Sequence, residues 1–261
     1  MKKLLFLFFL IFNMSFGQNY TADEIVDTYK EKLKLDGSEA VMRLVIYDNR
    51  GNMRVRKIAA VTKLYDKGET NKILMRFLEP REIKGTSFLT YNYDSSKDND
   101  QWLYLPSLRK IRRIVSSEKG NSFMGSEFTY ADIGGIKITD FNFKLSGEKM
   151  VNREACWEIE QVPINEEKEE EYDFLKKIIY ISKKDFIIRR ALYYNFDGEP
   201  RKEFSVLSIK EVDLEKKRYR LTHMVMKNLE NERVSEMITD QIVLNRDVKD
   251  EYFSFRYLKR E

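Results

Sequence analysis

From residue 40 to residue 244 the sequence returns again and again to one pattern, in which apolar residues alternate with charged or polar ones between short polar turns. A period of two belongs to a half-buried β-strand, whose successive side chains point to opposite faces of a sheet. It marks strands over 40–47, 53–65, 72–78, 86–93 and 101–105, then over 138–145, 155–163, 177–182, 186–195, 201–213, 218–229 and 233–244. The connections are turn sequences such as Asp48-Asn49-Arg50-Gly51-Asn52, Asp66-Lys67-Gly68 and Phe196-Asp197-Gly198-Glu199-Pro200. Connections this short leave no room for crossover helices, so the strands run antiparallel as a meander. Several exceed the usual length of about 5–6 residues. Long strands in one sheet twist and curl, and their apolar face needs a cover. The expected class is α+β: a single curved antiparallel β-sheet, a half-barrel, with helices covering the concave face.

The cover begins at the N-terminal end of the sheet region. Thr21 and Glu24 have the spacing of a capping box, and Ala22, Ile25, Val26, Tyr29 and Leu33 recur at helical spacing until Gly37. Further helical candidates lie at 116–133 and 166–175. No linker composition and no internal repeat divides the chain, so 18–261 reads as one domain. Residues 1–17 read as a signal peptide: Lys2 and Lys3 precede an apolar run at 4–12, and Ser15 and Gly17 place small residues before a cleavage site after Gly17. That run is too short to span a bilayer, which takes roughly 20 residues in a helix. The expected product is exported and soluble.

Composition narrows the chemistry. Lys+Arg 47 against Asp+Glu 43 is too balanced for a dedicated nucleic-acid binder. One Cys excludes an internal disulfide framework and a Cys-based zinc cluster, and one His excludes a site built on several imidazoles. No nucleophile elbow, dinucleotide fingerprint, P-loop or metalloprotease motif is present. The expectation is therefore a protein that is not an enzyme, with no catalytic residue, no metal and no cofactor. His223 reads as a packed or rim histidine of a strand, Cys156 as a buried small hydrophobe, and the acidic run 166–171 as a solvated connection.

Two stretches stand out. The cluster Arg109, Lys110, Arg112 and Arg113 reads either as an ordinary charged strand face or as a rim that contacts anionic headgroups or an acidic partner. In 116–135, Phe123, Met124, Phe128 and Tyr130 stand among glycines and serines. Large side chains on a pliant backbone suit a lid over an apolar cavity, and they equally suit a connection whose rings plug the sheet. With Trp102 and Tyr104, these four are the candidate ligand-binding residues.

Three segments carry a family resemblance: Arg-Phe-Leu-Glu-Pro-Arg-Glu-Ile-Lys-Gly-Thr-Ser-Phe-Leu at 76–89, Asp-Gln-Trp-Leu-Tyr-Leu-Pro-Ser-Leu-Arg-Lys-Ile-Arg-Arg-Ile at 100–114, and Ser-Phe-Met-Gly-Ser-Glu-Phe-Thr-Tyr-Ala-Asp-Ile at 122–133. Together with the ending at 250–258 they resemble the LolA-like outer membrane lipoprotein-sorting protein family of diderm bacteria. The resemblance implies a periplasmic half-barrel with a helical lid. In its concavity it would carry lipoprotein acyl chains or another lipid, in support of outer membrane lipoprotein sorting or lipid transport. The expected partners are an inner-membrane transporter of RND or ABC type and an outer-membrane acceptor, with no nucleic acid, and the chain is expected to be a monomer. Two other functions fit the inventory: a non-carrying periplasmic adaptor of an RND-type transporter, and an exported enzyme acting on glycans or lipids. A cavity with apolar walls favours the carrier, a filled core the adaptor, and clustered carboxylates in a polar cleft the enzyme.

Overall fold

The computed structural model describes residues 20–135 and 137–260. The signal peptide expected at 1–17 lies outside them. The first element is helix α1 (Ala22–Leu33). Its start is the expected capping box: the Thr21 hydroxyl accepts from the Glu24 amide at 3.2 Å, and the Glu24 carboxylate accepts from the Thr21 amide at 2.8 Å. Six strands follow: β1 (Gly37–Tyr47), β2 (Met53–Tyr65), β3 (Thr70–Glu79), β4 (Ser87–Tyr93), β5 (Asp100–Leu105) and β6 (Lys110–Ile114). A long connection with the short helix α2 (Tyr130–Gly134) leads to β7 (Phe141–Val151) and β8 (Glu154–Pro163). After helix α3 (Glu166–Tyr172) come β9 (Lys176–Ser182), β10 (Ile188–Tyr194), β11 (Pro200–Asp213), β12 (Arg218–Asn228) and β13 (Val234–Leu244). The last helix is α4 (Phe255–Leu258).

All 13 strands form one antiparallel sheet in the order β6-β5-β4-β3-β2-β1-β13-β12-β11-β10-β9-β8-β7. The sheet is open, with β6 and β7 as its edges. Every neighbour pair is consecutive in sequence except β1 and β13 at the centre. This is the expected meander in two halves, and it has one consequence. The chain leaves the sheet at one edge and re-enters at the other, so residues 115–140 must cross a face.

They cross the apolar one. Phe123, Phe128 and Tyr130 pack against Leu44, Ile58, Phe77, Phe88 and Met237, all buried. Over the other half, α1 sets Ile25, Val26 and Tyr29 against Ile159, Ile179, Ile181 and Val206. The opposite face is covered only in part, where Val248, Phe253 and Leu258 pack on Leu74, Leu89 and Tyr104.

Three local expectations change. Residues 110–114 form a strand that the alternation does not mark, because Lys110, Arg112 and Arg113 crowd the pattern. The helix expected over 116–133 shrinks to α2 and short 3-10 turns, since Met124 (φ 53°) and Gly125 (φ 76°) adopt left-handed backbone inside it. β7 runs to Val151, beyond the expected 145.

One pairing is incomplete. β12 and β13 are each 11 residues long, yet only His223–Lys227 pair with Val234–Ile238. By contrast β13 stays paired to β1 out to Leu244. Beyond His223 the two strands part.

Candidate functional site

Between α1 and the crossing segment the concave face keeps an unfilled space, a cavity of ≈ 400 Å³. Side-chain size on the central strands explains it. Ala40 on β1 and Ala60 on β2 are register partners and both line the space, whereas the next inward pair, Met42 and Ile58, supplies bulk. The rest of the wall is mostly apolar: Ile73, Leu221 and Phe204, with Met42, Met75, Met224 and Met226. Unbranched thioethers adapt to irregular contents better than branched side chains do.

Polar side chains are a minority of the lining, and several of them are tied to one another or to the backbone. Ser38 and Thr62 hydrogen-bond each other at 2.8 Å. Asn71 Oδ1 is buried without a hydrogen-bond partner among the described residues. α1 is tied across the concavity by Lys30 and Lys34, which both pair with Asp94; the Lys34 contact is 2.9 Å. Lys137 donates to the carbonyls of Tyr93, Ser95 and Lys97, which anchors the crossing segment. Glu171 on α3, with a side chain only 2% exposed, binds Lys119 at 2.5 Å and Lys168 at 2.7 Å. The acidic run is thus partly a buried anchor and not only a solvated connection.

Two cations on the wall are less well matched. The ammonium of Lys177 on β9 makes no hydrogen bond among the described residues. It stands 3.9 Å from Asp132 Oδ1, and 4.4 and 4.1 Å from the ring centroids of Phe174 and Tyr193. Asp132 is already engaged by the Thr129 amide and hydroxyl and by the Tyr193 hydroxyl, each at 2.8 Å. Burial brings Lys177 down to about 8, with Asp132 opposing the shift and Lys202 adding to it. Burial, with Asp132 second, pushes Tyr193 well above the usual phenol range. Arg220 on β12 donates to the Leu33 carbonyl at the end of α1 and has no ion pair among the described residues. Burial alone lowers it to about 10.

The expected ligand-binding residues are distributed differently. Phe128 lines the cavity. Phe123 is fully buried, with its ring 5.4 Å from Phe88 and 5.5 Å from Tyr130, and Tyr130 is 5.9 Å from Phe88. Met124 packs at the edge of the same cluster. Of the two readings of this stretch, the packing matches the plug: Phe123, Met124 and Tyr130 do not line the cavity and fill one end of the half-barrel, and Phe128 beside them forms part of the cavity wall. Trp102 and Tyr104 do not line the cavity either. On β5 the inward positions are Gln101 and Leu103, so Trp102 and Tyr104 face the other side. There Trp102 stacks edge-on with Tyr91 at 5.0 Å and Phe255 at 5.1 Å.

The basic cluster lies in and beside edge strand β6, away from the cavity. Arg112 pairs with Glu118 and Arg113 with Asp100 at 2.6 Å, while Arg109 and Lys110 are exposed. His223 bonds Glu236 at 2.8 Å and does not line the cavity. Cys156 is buried, which raises its thiol pKa. Among the described residues no cluster of three or more His, Cys, Asp or Glu side chains could hold a metal ion.

Sequence reasoning did not single out Ala40, Ala60, Lys177 or Arg220. The alanines give a signal only once their register is known. Lys177 and Arg220 read as ordinary polar members of alternating strands.

Comparison with known proteins follows from this geometry. A family model with the description "Uncharacterized protein" matches residues 69–260, from β3 to the C-terminal helix. No curated protein matches the sequence. Among solved structures, a domain from Vibrio parahaemolyticus named for outer membrane lipoprotein sorting superposes with a TM-score of 0.82 at 26% identity, over 91% of this chain and 97% of that one. A DUF1329 family protein from Desulfovibrio piger gives 0.82 at 22% identity over 91% and 97% of the two chains. A LolA superfamily protein from Nitrosomonas europaea gives 0.69 at 18% over 92% and 100%, and at these identities the last two speak to the fold alone. With an open antiparallel sheet and a crossing segment between its edges, the chain belongs to the family of that model and has the LolA-like fold.

Proposed function

We propose that this protein is a periplasmic lipid carrier, which shelters acyl chains of a lipoprotein or of another lipid in the concave cavity and supports their movement towards the outer membrane. The observation that carries the reading is the ≈ 400 Å³ cavity with a mostly apolar, methionine-rich wall, within the roughly 300–1,000 Å³ of small-molecule sites. An acyl chain in water exposes apolar surface at a cost of about 25 cal/mol per Å², and an apolar wall offsets that cost without any catalytic group. A filled core, as an adaptor would have, does not leave such a space. The resemblance to a domain named for lipoprotein sorting supports the same reading, and the leader expected at 1–17 supports export. Cargo is released when α1 or the crossing segment moves, because burial of this kind reverses slowly. The test is native mass spectrometry, with lipid extraction, of protein isolated from a periplasmic fraction. A discrete acyl-bearing adduct is expected, and its consistent absence under conditions that keep the protein folded contradicts the reading.

A further inference from the structure

We propose that the amphiphile held in this cavity has an anionic head, a carboxylate or phosphate, and that Arg220 is its anchor. The inference rests on the carrier reading and adds the chemistry of the cargo's polar end. Four observations carry it.

First, Arg220 lines the cavity, yet its guanidinium meets no carboxylate among the described residues; one carbonyl, that of Leu33, accepts from it. A guanidinium has five N–H donors in a planar fork that matches carboxylate and phosphate oxygens, so most of that capacity is free. Second, the other cations of the wall have protein partners. Lys30 and Lys34 share Asp94, Lys137 is surrounded by carbonyls, and Lys177 has Asp132 and two rings. Third, the next residue on the same face of β12, Arg218, stands outside the cavity lining and pairs with Glu31 at 3.5 Å, yet its Nε is buried without an acceptor among the described residues. Fourth, Arg220 sits where β12 and β13 have parted, and the wall there is drawn from both strands, with Leu221 on one side and Thr239 and Ile242 on the other. A head at Arg220 thus stands at one end of the space, while the tail runs over Ala40 and Ala60 towards Phe128.

A buried cation beside apolar wall is costly until an anion answers it. A bound carboxylate or phosphate gains a charge-assisted, bidentate contact that a neutral head cannot make.

The experiment compares cis-parinaric acid with its methyl ester in fluorescence titrations of the full folded chain. The variants are Arg220→Met, Arg220→Lys and Lys177→Met, with folding checked by circular dichroism. Wild type is expected to bind the acid at least tenfold more tightly than the ester. Arg220→Met should remove that preference while it still binds the ester, and Arg220→Lys should keep part of it. A role of Arg220 limited to the Leu33 carbonyl would weaken both ligands alike and overturns the assignment. Equal affinity of wild type for acid and ester overturns the anionic head and leaves the carrier standing. Loss of preference in Lys177→Met but not in Arg220→Met overturns the choice of anchor. Displacement of the acid by inorganic phosphate at similar concentration overturns the amphiphile in favour of a free anion. Binding of neither probe overturns the carrier reading itself.

Discussion

The ammonium of Lys177, 3.9 Å from Asp132 and without a hydrogen bond among the described residues, has a measurable signature. Its folded-state pKa of about 8 lies below the roughly 10.4 of an unfolded lysine. Between those values the unfolded chain holds a proton that the native chain has released, so stability from this group rises with pH across that window. Below about pH 8 both states are protonated and the full cost of burying the charge is present. Lys177→Met removes the titration. The stability of wild type relative to this variant should therefore improve by up to about 1.4 kcal/mol per pH unit between about pH 8 and 10. Urea unfolding at pH 7, 8, 9 and 10 checks this, and parallel pH profiles would contradict it. Phe128 makes a second case at this scale. It is 2% exposed and belongs both to the plug and to the cavity wall. Phe128→Asp buries a carboxylate with no cation provided for it, so it should lower the thermal midpoint by many degrees as well as abolish fatty-acid binding. A free lid would have lost binding alone. His223→Ala, by contrast, should leave lipid binding unchanged.

The elements were legible in proportion to how local their causes are. The start of α1 follows from Thr21 and Glu24, and the long strands follow from alternation that neighbouring residues maintain by themselves. β6 was hidden because its inward residues, Arg112 and Ile114, do not repeat one chemistry. Residues 116–133 leave helix, lid and plug open in the sequence because the deciding facts are distant. Phe123 is held by Phe77 and Phe88, and Lys119 by Glu171. The inward or outward sense of Trp102 and Tyr104 depends on which face of β5 the sheet buries, and both faces are apolar there. The cavity was not legible for a related reason. It exists because two alanines 20 positions apart in sequence pair across β1 and β2. A prediction at this scale concerns the clasp between α1 and the turn after β4. Asp94→Asn leaves Lys30 and Lys34 without their shared carboxylate. Part-exposed ion pairs contribute only about 0–1 kcal/mol each, so the midpoint should fall by a few degrees at most. Hydrogen exchange at the C-terminal end of α1 should quicken while the strands keep their protection. Unchanged exchange in α1 would show that the clasp does not hold the helix.

For the molecule as a whole, the topology and the cavity are one fact seen twice. Because β1 and β13 meet at the centre while β6 and β7 are edges, the chain must carry residues 115–140 across the concave face. That segment fills one end and α1 covers the other, and the cavity is the space neither reaches. The account therefore stands on the claim that this space is where the lipid goes. Ala40→Phe tests it most directly, since a ring at that position occupies the floor of the cavity without breaking a hydrogen bond of the sheet. Fatty-acid titration and thermal unfolding are measured on the same preparation. The expected result is at least a tenfold loss of affinity with an unchanged or raised midpoint, because the ring fills space that was empty. Full affinity in a folded Ala40→Phe protein would contradict the account.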